Sequence, residues 1–327
     1  MTTLSTHPPL VAIIGPTASG KSSLGIFLAK EFDGEVVACD STQLYRGFDI
    51  GTAKPTPEER GSVPHHLLDI LDPPEESTAG GYRERAISVL DDLRARTRMP
   101  VFTVGTGLYL RALLEGLAEL PGRSDQLRER LRAAAATHES GYLHRILARL
   151  DGHAAVQIAP PDEQKLIRAI EICLLAKKPI SEVHRGGRTP LAGWRVLKIG
   201  LQPEREDLYK RIHDRTDAML QAGWLEEVSP LLSSGLPENA KPLNFIGYRE
   251  LRSHLRGEIT LDAAREAIQQ GTRQYAKRQL TWFRREANVK WLPGFGYDPA
   301  VQANARDWLM AELISKTADR APIAHIE

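Results

Sequence analysis

The stretch that decides the fold is Gly15–Ser22, which reads GPTASGKS. It fits the pattern G-x-x-x-x-G-K-[ST], follows the apolar run Leu10–Ile14 and precedes a segment with helical spacing, Ser22–Phe32. Strand, glycine turn and helix start are the context in which this pattern forms a phosphate-binding loop, or P-loop. Its backbone N–H groups and the helix dipole favour an anion, Lys21 would neutralise phosphate oxygens, and Ser22 would hold Mg²⁺. The stretch predicts a bound di- or triphosphate and leaves the reaction open.

Three further apolar runs, Val36–Cys39, Val101–Val104 and Arg195–Leu201, alternate with helical patterns. This alternation is typical of parallel strands joined by helical crossovers, so we predict an α/β fold with a parallel sheet flanked by helices. In such a sheet, ligands bind beyond the carboxyl ends of the strands. We therefore expect the polar and glycine residues that follow the first three strands to surround one crevice.

The segment 121–190 has a different pattern, because it is rich in Ala, Leu and Arg and carries no strand signal. We predict an all-helical insertion domain there, between a first part of the core at 1–120 and a second part at 191–327. Within the second part, helical spacing predicts helices at about 205–221, 224–232, 247–255 and 261–285.

Composition and charge restrict the class of protein. The chain has 327 residues, of which 42% are hydrophobic and 26% charged, as in ordinary globular proteins. With a formal net charge of +1, any contact with nucleic acid would depend on local basic clusters. The two cysteines, Cys39 and Cys173, predict neither a disulfide framework nor a cysteine metal site. No apolar run approaches the ~18 residues of a membrane span, so we expect a cytoplasmic protein without a membrane partner.

Asp40–Tyr45, with the sequence DSTQLY, follows the second strand. Asp40 could be a partner of Mg²⁺, a general base or the cap of a following helix, and spacing alone leaves all three open. The neighbouring Ser41 and Gln43 favour recognition of a polar ring, because the amide of Gln43 offers both a donor and an acceptor.

Gly105–Tyr109 ends the third strand and places Thr106 between two glycines. The hydroxyl of Thr106 could bind a phosphate or leaving-group oxygen, and a plain turn before a helix explains the pattern nearly as well. Arg211 and Arg215 follow the fourth strand, one helical turn apart, and this spacing could place one guanidinium over phosphates.

The last predicted helix carries Arg273, Lys277 and Arg284 on one face, beside Tyr275 and Trp282. Basic side chains next to aromatic ones suit an RNA backbone with an unstacked base, although a solvated charged face is the simpler explanation for such a run taken alone. A second basic cluster, at residues 123–132, is diluted by acidic residues. The adjacent His65 and His66 lack partners at ligand spacing, so we interpret them as structural.

Taken together, these segments resemble the tRNA dimethylallyltransferases, also called tRNA isopentenyltransferases. Order and spacing match from about residue 10 to residue 293. Val104 stands where the family usually has a glycine. The matching blocks are GPTASGKS (Gly15–Ser22), DSTQLY (Asp40–Tyr45), DIGTAKP (Asp49–Pro55), PHHLLD (Pro64–Asp69), GTGLYL (Gly105–Leu110), IGYRE (Ile246–Glu250) and TRQYAKRQLTWFR (Thr272–Arg284).

The resemblance implies a P-loop NTPase-like fold and transfer of a dimethylallyl group from dimethylallyl diphosphate to the exocyclic amine of an adenosine in tRNA. The implied target is adenosine-37, just 3′ of the anticodon, in tRNAs that read codons beginning with U. The resemblance also implies Mg²⁺ as cofactor. We expect the protein to be a monomer. The resemblance assigns the base role to Asp40, and stabilisation of the departing diphosphate to Thr106, Lys21 and Arg215.

The same resemblance assigns the binding residues. The diphosphate, in the place where related proteins bind a nucleotide, is assigned to Gly15, Pro16, Thr17, Ala18, Ser19, Gly20, Lys21 and Ser22, with Ser22 as the metal ligand. Contact with tRNA is assigned to Asp40, Ser41, Thr42, Gln43, Thr106, Arg128, Gln164, Lys165, Leu166, Ile167, Arg168, Asn244, Phe245, Ile246, Gly247, Tyr248, Arg249, Lys277, Arg278, Gln279, Leu280, Thr281, Trp282, Phe283 and Arg284.

Two other classes of function compete with a tRNA prenyltransferase. A small-molecule kinase that uses ATP would account for the P-loop and for Asp40, but neither it nor an enzyme that prenylates free adenine nucleotides needs the basic and aromatic last helix. A non-catalytic, nucleotide-gated RNA binder would leave Asp40 and Thr106 without a role at adjoining strand ends.

Overall fold

The computed structural model describes residues 7–184, 187–238 and 240–315. Contacts between Cα atoms group the chain into two compact units: a core unit, formed by the segments up to residue 113 and from residue 192, and a helical unit, residues 114–191. The sequence places its insertion at 121–190. In the described ranges no helix combines the length and the apolar character needed to span a bilayer.

The core unit is built on a parallel sheet with the strand order β3-β2-β4-β1-β5-β6. The fold is therefore the α/β type predicted from the sequence, and the four predicted strands are confirmed within two residues. The strands are β1 (Pro9–Ile14), β2 (Gly34–Cys39), β3 (His65–His66), β4 (Met99–Val104), β5 (Arg195–Gln202) and β6 (Val289–Pro293).

Helices connect and flank these strands, and a short 3₁₀ turn, Lys241–Asn244, precedes the helix that begins at Tyr248. The core unit contains α1 (Lys21–Glu31), α2 (Pro57–Arg60), α3 (Ala79–Ala95), α4 (Gly107–Glu115, which runs two residues into the helical unit), α10 (Arg205–Gln221), α11 (Trp224–Ser233), α12 (Tyr248–Leu255), α13 (Leu261–Phe283) and α14 (Pro299–Ser315). The helical unit contains α5 (Asp125–Thr137), α6 (Tyr142–Leu150), α7 (Gly152–Gln157), α8 (Glu163–Ala176) and α9 (Ile180–Val183).

A hydrophobic core of the sheet lies on the face covered by α1 and α14. Val11 and Ile13 of β1 are fully buried there against Leu24 and Leu28 of α1, together with Leu309 of α14. Strands of a parallel sheet are covered on both faces and are therefore almost continuously apolar, which is why the central strands could be predicted. The edge strands β3 and β6, which contain His65–His66 and a terminal proline, were not predicted because they lack that signature.

The strand order places the ends of β1, β2 and β4 side by side. Cys39 and Val104 are partners at the ends of β2 and β4, and the N–H groups of Gly105 and Thr106 both donate to Cys39 O at 3.0 Å. Val104, which stands in the place of a family glycine, is the fully buried last residue of β4 and pairs in regular register. The polar residues that follow these strands are thus held at one edge of the sheet.

The helical unit has its own core, in which Leu147 of α6 and Leu166 and Ile170 of α8 are almost completely buried. A carboxylate lies inside this unit: Glu171 is fully buried and binds Arg128 through two hydrogen bonds of 2.9 and 2.8 Å, and Arg168 at 2.5 Å. Within this unit α5 ends at Thr137 and α6 begins at Tyr142, directly after Gly141, which has φ of 81°.

Candidate active site

The P-loop packs closely against the segment around Gly296, which follows β6. Gly20 precedes α1 with φ of 85°, and a Cβ at this position would lie 2.8 Å from the backbone nitrogen of Gly296. The same nitrogen donates to Ser19 O at 2.8 Å. Glycine is required at position 20 both by this left-handed conformation and by the close approach.

Asp40 is held in a fixed orientation at the end of β2. Its Oδ1 accepts hydrogen bonds from the backbone N–H of Thr42 at 2.8 Å and from the Thr42 hydroxyl at 2.7 Å. Its Oδ2 lies against Gly105, where any Cβ would collide with the carboxylate. The next helix begins only at Pro57, so the interpretation of Asp40 as a helix cap is wrong. The Thr42 contacts instead form a local turn around the carboxylate.

Gln279 of α13 connects the P-loop to the Gly105 turn. Its Oε1 accepts from the N–H of Thr17 at 2.6 Å, and its Nε2 donates to Gly105 O at 2.7 Å. The hydroxyl of Tyr275, one turn earlier, donates to the same carbonyl at 3.0 Å. Gln279 is 6% exposed, so its side chain is a fixed part of this site and is not available to a tRNA. The resemblance had instead assigned Gln279 to contact with tRNA.

A cavity of about 410 Å³, the P-loop cavity, opens beside these residues and is lined by three cationic side chains, Lys21, Arg211 and Arg215. Lys21 Nζ donates to the carbonyls of Gly15 and Pro16 at 3.0 and 2.8 Å, and Arg215 donates to the hydroxyl of Thr17 at 2.9 Å. Among the residues that the structure describes, none of the three cations has a carboxylate within 4.0 Å.

The two carboxylates that also line the P-loop cavity are already hydrogen-bonded elsewhere. Asp40 accepts from Thr42, and Glu59 accepts from the backbone N–H of Thr56 at 2.8 Å. The three cations are therefore free to bind an anionic ligand.

Burial of these cations changes their protonation equilibria. Burial lowers the pKa of Lys21 to about 8, with Asp40 opposing this shift and Arg215 adding to it. Burial, together with the neighbouring charge of Arg211, lowers the pKa of Arg215 to about 10. An anion in the cavity would restore the favourable environment that these positive charges lack.

Arg211 is held by aromatic rings rather than by an acid. Its guanidinium carbon lies 4.2 Å from the ring centre of Tyr297 and 5.7 Å from that of Phe295, and the two rings are stacked on each other. Its Nε is buried and has no hydrogen-bond partner in the described parts of the chain. Of the pair Arg211 and Arg215, the sequence predicted one guanidinium over phosphates, whereas the structure places both at the cavity.

A second cavity of about 310 Å³, the apolar cavity, continues from the first and shares Asp40, Arg215 and Tyr275 with it. Its hydrophobic lining comes from α10, α11, α13 and the segment 244–246, and residues 41–42 and 51–53 complete the wall. The apolar side chains in that lining are Met219, Trp224, Phe245, Ile246 and Ile268. Asp40 thus stands where a cationic cavity meets an apolar one.

The structure brings together most of the residues predicted for catalysis. Lys21, Asp40 and Arg215 line the P-loop cavity, together with Ser22, the predicted metal ligand. Thr106 is the exception, because it lines neither cavity: its hydroxyl accepts from Ser41 N–H at 2.9 Å and lies 3.2 Å from the Ser41 hydroxyl. Its predicted contact with a leaving-group oxygen stays a prediction.

The residues predicted to contact tRNA are distributed between surface and core. Side chains that are buried, and therefore unavailable for direct contact, are Leu166, Ile167, Tyr248, Gln279 and Phe283. Arg128 and Arg168 are bound to Glu171 in the helical unit. Exposed members are Gln164, Lys165, Asn244, Arg249, Lys277, Arg278, Thr281, Trp282 and Arg284; Ser41, Thr42, Gln43, Thr106, Phe245, Ile246 and Leu280 are partly exposed, and Gly247 is buried.

Comparison with known proteins gives consistent matches along the chain. The family model of IPP transferase matches residues 43–286, and that of isopentenyl transferase matches residues 8–69. A tRNA dimethylallyltransferase of Koribacter versatilis (strain Ellin345) is 53% identical over 298 residues, which cover 91% of this chain and 97% of the relative. The corresponding protein of Solibacter usitatus (strain Ellin6076) is 49% identical, with the same coverage of 91% and 97%.

Two solved structures are similar over almost the whole chain. The full-length tRNA isopentenylpyrophosphate transferase of Bacillus halodurans has a TM-score of 0.70 at 36% identity, covering 95% of this chain and 98% of the other. A eukaryotic dimethylallyltransferase, described as acting on tRNA, has a TM-score of 0.78 at 26% identity, covering 97% of this chain and 81% of the other.

Proposed function

The chain belongs to the IPP transferase family, and we propose that it transfers a dimethylallyl group from dimethylallyl diphosphate to the exocyclic amine of adenosine-37 in tRNAs that read codons beginning with U. The product is N6-dimethylallyladenosine. The observation that carries this proposal is the junction at Asp40, where a cavity lined by three cations without a carboxylate partner among the described residues meets a largely apolar cavity. A small-molecule kinase is not favoured, because the curated relatives named above are tRNA dimethylallyltransferases.

The diphosphate of the donor binds in the P-loop cavity. Lys21, Arg211 and Arg215 neutralise its charge, and the N–H groups of the P-loop bind its oxygens. As the allylic C–O bond breaks, the bonding electrons move to the diphosphate, so these cations stabilise the transition state more than the substrate. The apolar cavity shields the dimethylallyl group, which water would otherwise attack as the C–O bond breaks.

Asp40 is the general base for the acceptor. The exocyclic amine of adenine is conjugated with the ring and weakly nucleophilic, so removal of a proton as the new N–C bond forms assists the reaction. Thr42 fixes one carboxylate oxygen of Asp40, which leaves Oδ2, beside Gly105, to take the proton. The amine nitrogen thereby gains one five-carbon group and loses one proton, and inorganic diphosphate leaves.

The residues around the P-loop cavity fit a Mg²⁺ ion that accompanies the diphosphate. Ser22 places a hydroxyl on this cavity, as in other P-loops. Across residues 7–184, 187–238 and 240–315 no group of three His, Cys, Asp or Glu side chains could hold a metal by itself. That donor set suits Mg²⁺, which is commonly bound by few protein oxygens together with substrate phosphates. When bound, Mg²⁺ would reduce the negative charge of the diphosphate.

The exposed basic face of α13 is the surface proposed to contact tRNA in the core unit. Lys277, Arg278 and Arg285 lie around Trp282, which is 38% exposed, and Arg284 is exposed nearby in the sequence. Cations bind the phosphate backbone and an exposed indole can stack on a base, so this face suits a single-stranded loop. The target adenosine has to leave its stack to reach Asp40.

The direct test combines the protein with unmodified tRNA and either dimethylallyl diphosphate or ATP, followed by mass analysis of the digested nucleosides. We expect an adenosine heavier by one C₅H₈ unit with dimethylallyl diphosphate, and no reaction of ATP. Asp40→Asn and Asp40→Ala should slow transfer by about two orders of magnitude while tRNA binding persists. A phosphorylated metabolite without a prenylated nucleoside would contradict the proposal. Light scattering would check the expected monomer.

A further inference from the structure

The loop at residues 49–53 is held from outside by a carboxylate that lines neither cavity. Glu227 of α11 accepts hydrogen bonds from three consecutive backbone N–H groups, those of Asp49 and Ile50 at 2.8 Å and that of Gly51 at 3.3 Å. It also accepts from the hydroxyl of Tyr248 at 2.5 Å. Four donors on one carboxylate fix the position of this loop relative to α11 and α12.

A buried lysine holds the other side of the same loop. Lys54 is 7% exposed, and its ammonium group donates to the carboxylates of Asp49 and Asp69 and to the backbone carbonyl of Tyr45. Backbone hydrogen bonds from Ala53 N to Ile50 O at 2.9 Å and from Lys54 N to Asp49 O at 3.1 Å close the turn. The loop is therefore a rigid frame rather than a mobile segment.

The inner side of this frame determines the orientation of Gln43. Gln43 Nε2 donates to Thr52 O and to Ala53 O, each at 3.1 Å. These two carbonyls hold the NH₂ group of the amide, since a flipped amide would place its oxygen against two other oxygens. Gln43 therefore presents to the P-loop cavity, which it lines together with Asp40, only its Oε1, a hydrogen-bond acceptor.

The proposed reaction requires a second acceptor of this kind. The target amine has two hydrogens: Asp40 removes one, and the other must be satisfied while the nitrogen lone pair is directed at the prenyl carbon. The sequence left Gln43 as both donor and acceptor. In the structure the Asp40 carboxylate and Gln43 Oε1 are two acceptors at the P-loop cavity that can serve the two hydrogens of the amine.

We propose that Gln43 Oε1 accepts the second hydrogen of the target amine, and that Glu227 is a positioning residue that acts through the 49–53 loop to keep Gln43 in this orientation. The inference rests on the proposed function. It also predicts that a base presenting a carbonyl in place of the amine is rejected, because two acceptors would face it.

A double-mutant cycle tests the connection. Gln43→Met removes the acceptor at similar size, and Glu227→Gln replaces one acceptor oxygen by an NH₂ group that faces backbone donors. Single-turnover transfer is measured at saturating tRNA and dimethylallyl diphosphate, with Glu226→Gln, an exposed neighbour on α11, as the matched control. We expect Gln43→Met to slow the step roughly 10- to 100-fold and Glu227→Gln about 10-fold.

The double variant is decisive. If Glu227 acts through Gln43, the double variant is as slow as Gln43→Met alone, because Glu227→Gln then has no Gln43 amide whose orientation it could change. Multiplied effects would overturn the proposal, as would wild-type rates for either single variant. Glu227→Asp takes the same place in the cycle if Glu227→Gln does not fold. Failure of the proposed function is distinguishable, because the wild-type protein itself would then transfer no prenyl group.

Discussion

The P-loop cavity and the interior of the helical unit use the same kind of residue in opposite ways. Around the P-loop, Lys21, Arg211 and Arg215 line a cavity without an acidic partner among the described residues. In the helical unit, Arg128 and Arg168 bind the buried Glu171. Cations left unpaired beside a cavity indicate an anionic ligand, whereas cations paired with a buried carboxylate indicate a structural role.

The pKa values in the two regions show the same contrast between an unpaired and a paired charge. Lys21 has its pKa lowered to about 8 by burial, because its positive charge is not compensated. Burial by itself would raise the pKa of Glu171, but hydrogen bonds from Arg128, from the backbone N–H of Ser124 and from Arg168 lower it to about 2. The positive charge of Lys21 therefore lowers the stability of the folded protein, whereas the negative charge of Glu171 raises it.

The largest difference between the regions should appear when Lys21 is replaced. Lys21→Met should lower kcat/KM for dimethylallyl diphosphate by about 10³-fold, since one of three charges that stabilise the leaving diphosphate is lost. The thermal midpoint should stay the same or rise, because an uncompensated buried charge is removed. Kinetics and thermal denaturation measure the two effects. Lys30→Met, on the exposed side of the same helix, is the control. A fall in stability without a fall in activity would reverse the assignment.

The second largest effect is expected in the helical unit, where a substitution should lower stability without affecting the diphosphate site. Glu171→Gln leaves Arg128 and Arg168 without their carboxylate and should lower the free energy of unfolding by about 3 kcal/mol at pH 7. The folded pKa of about 2 lies below the ordinary value of 4.5, so this contribution is complete above pH 4.5 and is lost as the pH falls towards 2.

Urea denaturation at pH 7 and pH 3 checks this change, with the exposed Glu163→Gln on the same helix as control. The deficit of Glu171→Gln should be smaller at pH 3. Affinity for inorganic diphosphate should not change, because that ligand binds at the P-loop. Equal stability of the variant and the wild type at pH 7 would show that the buried ion pairs contribute nothing.

The sequence predicts the central strands and the position of the P-loop turn well because both depend on local rules. Buried parallel strands require apolar runs, and a P-loop requires glycines at fixed spacing. Edge strands such as Val289–Pro293 and the last helix, Pro299–Ser315, were not predicted, since their patterns are weak.

The contacts that complete the site join segments far apart in the chain. Gln279 bonds to Thr17 across 262 residues, and Glu227 bonds to Asp49 across 178. No spacing rule relates such pairs, so sequence reasoning placed Gln279 on the tRNA surface and did not find Glu227. Whether an arginine is free or paired is also decided by tertiary contacts, as Arg128 and Arg211 illustrate.

A smaller effect is expected at the exposed basic face of α13, where the cations lie on the surface instead of beside the P-loop cavity. Lys277→Ala combined with Arg284→Ala should weaken tRNA binding about tenfold at low salt. The slope of log affinity against log salt should decrease by roughly 1.5, because two phosphate contacts are lost. Filter binding at several salt concentrations measures both quantities. An unchanged slope would mean that this face is solvated and does not contact the tRNA backbone.

The smallest effect is a dependence on pH that only the P-loop cavity should show. Lys21 must be protonated to bind a diphosphate, and with its pKa at about 8 the free site loses the proton as the pH rises above that value. The dissociation constant of inorganic diphosphate should therefore rise by up to about tenfold between pH 8 and 9. Lys21→Arg keeps its charge over this range and should lack the rise. Since the ionisation of diphosphate affects both proteins equally, the ratio of their constants, measured by calorimetry, isolates Lys21. A constant ratio would mean that Lys21 stays charged in the free site, and that its burial does not distinguish it from the paired cations of the helical unit.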